Sequence, residues 1–457
     1  MAYRRLLIYG TVLLSAYAAF GKAEGYKFFN PSIADSIPKR ISGTGFYEDI
    51  LAKKISADVV PFDVNSPLWT DGAIKQRYIA VPPGAKVIYD DTADTYAYPD
   101  RAMVIKNFSL DTIPGNPASR ILIETRFTGV KKVAGKDKWF LWAYRWRLDQ
   151  SDAELVTDTG ANALVRIYDK GAGQAPRLKK WRYPDKVQCA ACHRVAGTGG
   201  RTVLAFFTAQ LNRPMAADPA FNQIQHFFDI GLLAMPAGIA KPDFSKSPRW
   251  ARWDDATASL ELRARSYIAA NCSGCHGTRG IGTQAANTIT IDYDYHDMKP
   301  HMDLAAKKLV GVFPIDSAGL IVPGRPDRSV LLYRQQARNQ KDQDFTAERD
   351  AMPPLGSFEP DTNAIKVVST WITSLGSAGI AYGHAGQGAA RGILARNGRL
   401  ILPEGMATGT GRLSIVDVRG ATRFLERAQD GSYPYGRQVT GIHLVVWNGK
   451  VLGRAAL

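Results

Sequence analysis

All four cysteines of this chain fall in two copies of one five-residue pattern. The first copy is Cys189-Ala190-Ala191-Cys192-His193 and the second is Cys272-Ser273-Gly274-Cys275-His276. No cysteine is left over for a disulfide, so the fold has to rest on its apolar core and on whatever the two motifs bind. Two thiols three residues apart share one turn of chain, where they can add to the two vinyl groups of a porphyrin. The histidine that follows then lies under the ring as proximal iron ligand. A structural zinc site would need four ligands from neighbouring Cys and His clusters. A thioredoxin-like pair would need no trailing histidine. Two copies that use every cysteine favour two covalent c-type haems, one on Cys189 and Cys192 and one on Cys272 and Cys275. His193 and His276 are then the proximal iron ligands.

The amino terminus agrees with that chemistry. Arg4 and Arg5 precede a short apolar stretch over 6–20 with small residues at Ala16 and Ala18. This predicts a secretory signal peptide over 1–23. The stretch is shorter than the ~20 residues a membrane span needs, and an uncleaved anchor is the competing reading. No later segment is as apolar, so no membrane span is expected in the mature chain. Haem attachment of the c type takes place outside the bacterial cytoplasm, which points to the periplasm or the cell surface. The balance of 58 Lys+Arg against 42 Asp+Glu gives a net charge of +16, which haem propionates would reduce but not reverse. Such a surface steers acidic redox partners. With no Lys/Arg block and no nucleic-acid module, a nucleic-acid partner is not expected.

The 457 residues suit two or three domains. Over 24–180, short apolar or alternating runs such as 86–89, 103–108, 120–127 and 139–146 are broken by Pro82-Pro83-Gly84 and Pro114-Gly115-Asn116-Pro117. This predicts an antiparallel β domain, a sandwich or barrel. Trp139, Trp142, Tyr144 and Trp146 at strand spacing read as core packing, with a sugar platform as the sharper alternative. A first haem-bearing helical segment is expected over 181–250, with helices at 202–212 and 222–233. The stripe Leu260, Ala264, Tyr267 and Ile268 predicts a helix running into Cys272. The stripe Ile365, Val368, Trp371, Ile372 and Leu375 predicts a last helix, capped by Asp361 or Thr362. A linker follows over 377–391, and β patterning returns over 392–457. The expected fold class is α+β multidomain, with small α-helical and β modules following the amino-terminal β domain.

The order helix, CxxCH, Pro323-Gly324, Met352-Pro353-Pro354 and aromatic helix resembles a bacterial class I cytochrome c domain, here over 251–376. Residues 40–375 as a whole resemble a family of bacterial dihaem c-type cytochromes. That likeness is carried by Asn65-Ser66-Pro67-Leu68-Trp69-Thr70-Asp71, Val104-Ile105-Lys106-Asn107-Phe108, Glu124-Thr125-Arg126, Gln188 with the first CxxCH, and Gln210-Leu211-Asn212-Arg213. The resemblance implies a β-rich domain, a haem after it and a helical cytochrome c domain, without a defined substrate. It also implies that the Pro323 carbonyl accepts the His276 ring N–H. Asp417-Val418-Arg419-Gly420 and the strand-like 441–446 resemble a type IX secretion sorting domain, which implies that machinery as a partner.

Met352 is the candidate distal ligand of haem 2, because a soft thioether held by two following prolines favours ferrous iron. The resemblance assigns it the same role. For haem 1 the mature chain has no histidine before His193. Bis-histidine ligation then draws on His226, His296, His301, His384 or His443; His226 ranks first, then Met235 and Met215, and a five-coordinate iron stays open. The expected function is an exported carrier of single electrons between redox partners. The alternatives are a dihaem peroxidase or a haem-bearing dehydrogenase component, and a polysaccharide-gripping module with structural haem is a third class.

Overall fold

The computed structural model describes residues 37–90, 96–157, 160–169, 175–193, 202–276, 319–337, 351–354 and 356–377, with shorter pieces at 291–293, 300–302 and within 394–456. The signal segment 1–23, most of the linker 377–391, and the Asp417-Val418-Arg419-Gly420 motif lie outside the described residues. The chain divides into two units, one of 1–321 with 327–371, and one of 322–326 with 372–457.

In the first unit the dominant element is a six-stranded antiparallel sheet. Its strands are β1 (Val59–Phe62), β2 (Ile74–Ala80), β3 (Met103–Asp111), β4 (Arg120–Val133), β5 (Lys136–Trp146) and β6 (Ala153–Leu155), paired in sequence order. This is an open meander, since β1 and β6 do not pair, and not a closed barrel. One face packs an aromatic core that includes Phe46, Tyr78, Phe127, Trp142, Tyr144 and Trp146. Phe127 and Trp142 stack at 5.2 Å, and Tyr47 meets Trp146 edge-on at 5.6 Å. Trp142, Tyr144 and Trp146 are therefore core, not an exposed sugar platform. A fully buried side chain of this size stabilises the fold by about 1.5–3 kcal/mol through lost apolar surface. A separate antiparallel hairpin, β7 (Ala161–Ile167) with β8 (Arg177–Tyr183), joins Phe108 and Ile123 in a second cluster through Val165 and Trp181.

Six helices complete the described residues: α1 (Lys186–His193), α2 (Thr208–Leu211), α3 (Gln223–Asp229), α4 (Leu260–His276), α5 (Val330–Gln336) and α6 (Thr362–Ser377). The stripes that predict α4 and α6 are buried where expected, at Ala264, Tyr267 and Ile268, and at Ile365, Val368, Trp371 and Ile372. Asp361 caps α6, its carboxylate accepting from the Ala364 amide at 3.2 Å. The two helices expected at 202–212 and 222–233 are shorter than their patterns. Residue Phe207 is extended, so α2 begins only at Thr208. Asn222 caps α3, and Gly231 at φ +75° ends the turn beyond it. Leu233–Ala234 then pairs in parallel with Val87–Ile88, within the sheet unit.

In the second unit, β9 (Leu413–Val416), β10 (Thr422–Leu425), β11 (Ile442–Trp447) and β12 (Lys450–Ala456) form an antiparallel sheet in the order β10-β9-β11-β12. Here too Gly324 and Gly376 are in close approach. A Cβ on Gly376 would lie 2.4 Å from the Gly324 Cα, and the Gly324 amide donates to the Ile372 carbonyl at 2.8 Å. Neither position has room for a side chain.

Candidate functional site

Helix α1 starts just after Pro184 at the end of β8. The Asp185 carboxylate accepts from the Gln188 amide at 2.8 Å, and the Asp185 carbonyl accepts from the Cys189 amide at 2.9 Å. That cap sets the turn on which Cys189, Cys192 and His193 are carried. The second motif closes α4, where Ser273 donates to the Ala269 carbonyl at 2.7 Å. Asn271 is tied twice, donating to the Tyr267 carbonyl at 2.8 Å and accepting from the Trp69 amide at 2.8 Å.

The fold brings the two motifs together. The Cys275 thiol donates to the Ala191 carbonyl at 3.9 Å, and the Cys192 and Cys275 side chains are hydrogen-bonded. Cys189, Cys192, His193 and Cys275 line one cavity, with Pro353 and Pro354 on its wall. Its volume is about 170 Å³, below the ~300–1,000 Å³ of an ordinary small-ligand site. Apolar side chains including Leu141, Val203 and Leu204 make up much of the rest of the wall. Cys272 and His276 are half-buried on the same helix, outside that lining.

His193 is held as a metal-ligating imidazole would be. Its Nδ1 lies 2.7 Å from the Thr202 carbonyl. A carbonyl can only accept, so Nδ1 carries the proton and Nε2 keeps its lone pair. Burial, with the Lys106 charge second, lowers the His193 pKa to about 4, so the ring stays neutral at neutral pH. Cys189, Cys192 and Cys272 are likewise held as neutral thiols. Burial raises Cys189 to about 11 and Cys272 to about 12, and the hydrogen bond with Cys275, then burial, raises Cys192. A catalytic redox CxxC is pushed the opposite way, toward thiolate.

One wall of the cavity was not singled out by sequence reasoning. Lys75 and Arg77 on β2, Lys106 on β3, Arg126 on β4 and Arg182 on β8 all line it, and no Asp or Glu does among the described residues. Lys106 and Arg126 lie in segments that the sequence marks only through family likeness. The available signal was Lys106 and Arg126 inside the strand-like runs 103–108 and 120–127. Burial, followed by repulsion from Arg126 and Arg77, lowers Lys106 to about 7. Burial lowers Lys75 well below its usual value. Burial also opposes the Arg126 charge, but Glu124 prevails and the pKa rises. Fully buried Glu124 takes two bonds from Arg126, at 2.7 and 2.9 Å, and one from the Trp181 indole at 3.0 Å.

Met352 sits at the start of the proline loop, its amide donating to the Arg334 carbonyl at 2.9 Å. The two prolines after it reach the cavity wall, and Met352 itself is not part of the lining. His226 lies on α3, next to the core residue Phe227, and is placed away from the cavity. Met235 packs against that same core cluster. The geometry thus collects the first motif, Cys275 and the proline loop, and leaves His226 apart. His296 and His384 lie outside the described residues. No group of three or more His, Cys, Asp or Glu side chains is placed to hold a metal ion among the described residues. Iron in a porphyrin needs only one or two protein ligands, which is what each motif offers.

No protein-family model, curated protein or solved structure matches this chain. Among the described residues, no helix is long and apolar enough to cross a membrane.

Proposed function

We propose that the chain is an exported dihaem c-type cytochrome that carries single electrons between redox partners in the periplasm or at the cell surface. The observation that carries this reading is the meeting of two CxxCH motifs, 84 residues apart from Ala191 to Cys275, at one largely apolar cavity. When bound, each haem supplies a one-electron couple at its iron. Cys189 and Cys192 anchor the first, and Cys272 and Cys275 the second. His193 offers Nε2 because Thr202 holds the proton on Nδ1, and His276 holds the equivalent place in the second motif. The apolar wall excludes water, which favours the less charged ferrous state.

In this reading residues 251–376 are a helical cytochrome c domain in which Met352 supplies sulfur to haem 2. Residues 392–457 form a sorting module for type IX export, and the +16 chain meets acidic redox proteins. Contact between the motifs through Cys192 and Cys275 supports two neighbouring redox centres, as a carrier that relays electrons internally requires.

The test is spectroscopy of the purified holoprotein. Haemochromogen assay should return two haems per chain, with a sulfur-to-iron charge-transfer band for haem 2. Met352→Ala should abolish that band, keep both haems attached, and lower the haem-2 potential or turn the site high-spin. An unchanged band would put another residue on that iron. A high-spin haem 1 that turns over hydrogen peroxide would replace the carrier reading with the peroxidase alternative.

A further inference from the structure

The sheet face toward the cavity carries a row of like charges. Arg77 and Lys106 are direct cross-strand partners on β2 and β3, and Lys106 and Arg126 are direct partners on β3 and β4. Lys75 lies two residues from Arg77 and so on the same face. Like charges directly opposite one another destabilise a sheet, and an apolar cavity screens them less than water does. The compensation inside the protein is incomplete. Arg77 has Asp63 at 3.4 Å, and Arg126 is clamped by Glu124. Lys75 donates only to the Ala73 carbonyl at 3.3 Å, and its ammonium lies 5.9 Å from the Phe108 ring centroid. Lys106 lies 5.1 Å from that centroid. Neither lysine is ion-paired to a carboxylate among the described residues. A surface lysine has no reason to be here, since these ammonium groups line the same cavity as Cys189, Cys192 and His193.

We propose that Lys75, Lys106 and Arg126 hold a carboxylate at the edge of haem 1, so that the β sheet is one wall of the haem site. The proposal rests on the haem reading above for its position. The carboxylate has two chemical sources, the propionates of the porphyrin or a small organic acid entering the cavity mouth. Either is bound by charge-assisted hydrogen bonds from the three cations, and either cancels the repulsion along the row.

The experiment uses full-length holoprotein with Lys75→Gln and Lys106→Gln, singly, and Lys106→Arg as the charge-preserving control. The haem-1 potential is followed between about pH 5 and about pH 8, the range just above ordinary carboxylate titration, with and without acetate at constant ionic strength. If propionate is the partner, the wild-type potential is flat and indifferent to acetate. In each Gln variant it then falls as pH rises, because the released carboxyl group titrates, and in Lys106→Arg it stays flat. If an organic acid is the partner, acetate shifts the wild-type potential, and each Gln variant binds it about tenfold more weakly, the loss of one charge-assisted bond. Potentials equal in wild type and Gln variants, without acetate response, overturn the proposal. A stoichiometry below two haems per chain overturns the haem reading instead, so the two failures are distinguishable.

Discussion

The two sides of the cavity are built from different materials. The sheet side is charged, with Lys75, Arg77, Lys106 and Arg126 over a network in which Glu124 is bound by Arg126 and Trp181. The helix side is neutral, with Ala269, Ala270, Ser273 and Gly274 of α4 facing it and Pro353 and Pro354 closing it. A charged wall can hold an anion and tune a potential through its field. A neutral, proline-stiffened wall can only hold geometry and exclude water. The two CxxCH motifs meet along the seam, so in the proposed dihaem reading one cavity would give two haems unequal surroundings. Unequal surroundings are how one protein gives chemically identical cofactors different potentials.

The difference is most severely tested by Glu124→Gln. Glu124 is fully buried and carries the counter-charge for Arg126. Removing one partner of a buried pair leaves the other uncompensated, at a cost of about 3–5 kcal/mol. Arg126 would then face Lys106 without the Glu124 carboxylate beside it. Denaturant unfolding should show that loss, and the haem-1 spectrum should change while the Met352 sulfur band persists. If both haems respond equally, the walls are not independent.

The helix side has its own fastening. Asp71 accepts the Phe358 amide at 2.8 and 3.0 Å and the Glu359 amide at 2.8 Å, and the Trp69 indole donates to the Glu359 carbonyl at 2.7 Å. These bonds pin the chain just after the proline loop. Asp71→Ala should cost about 1–3 kcal/mol for each orphaned amide, and the left-handed backbone at Asp71, φ +47°, tolerates alanine poorly. The effect should appear in the Met352 sulfur band and spare haem 1, the mirror image of Glu124→Gln.

The strands at 103–108, 120–127 and 139–146, the helices α4 and α6, and the β character of 392–457 were legible because their apolar residues repeat with a clear period. Both CxxCH patterns were legible from spacing alone, and haem attachment at them is the proposed reading. The family-like segments were visible as words without a meaning. Asn65 binds the Ala209 and Asn212 carbonyls, and Ser66 and Gln210 bond reciprocally, so the segments at 65–71 and 210–213 are clasps between elements some 144 residues apart. No periodicity encodes such a clasp. The cationic row was missed for the same reason: Arg77, Lys106 and Arg126 become neighbours only once β2, β3 and β4 are in register. The overlong helices expected after the first motif erred where Phe207 goes extended and Gly231 turns left-handed, both local breaks inside apolar runs.

The smallest expected effect decides whether a third region joins the cavity. His226 was the sequence candidate for haem 1, yet it sits on α3 beside Phe227 and away from the lining. Burial lowers its pKa from the ordinary imidazole value, and Asp229 only partly restores it. The folded state therefore binds this proton more weakly than the unfolded chain. The stabilising contribution is complete above the unfolded value near pH 6.5 and is lost as pH falls through the lower folded value. His226→Gln removes the titration, so the stability of the variant should lack that acid-side slope while both haem spectra stay as in wild type. An iron-bound imidazole would behave otherwise, since its lone pair is taken and it has no such titration to lose. Conversion of haem 1 to a high-spin, cyanide-accessible form in His226→Gln would move α3 to the cavity and make the sheet wall one of three sides, not one of two.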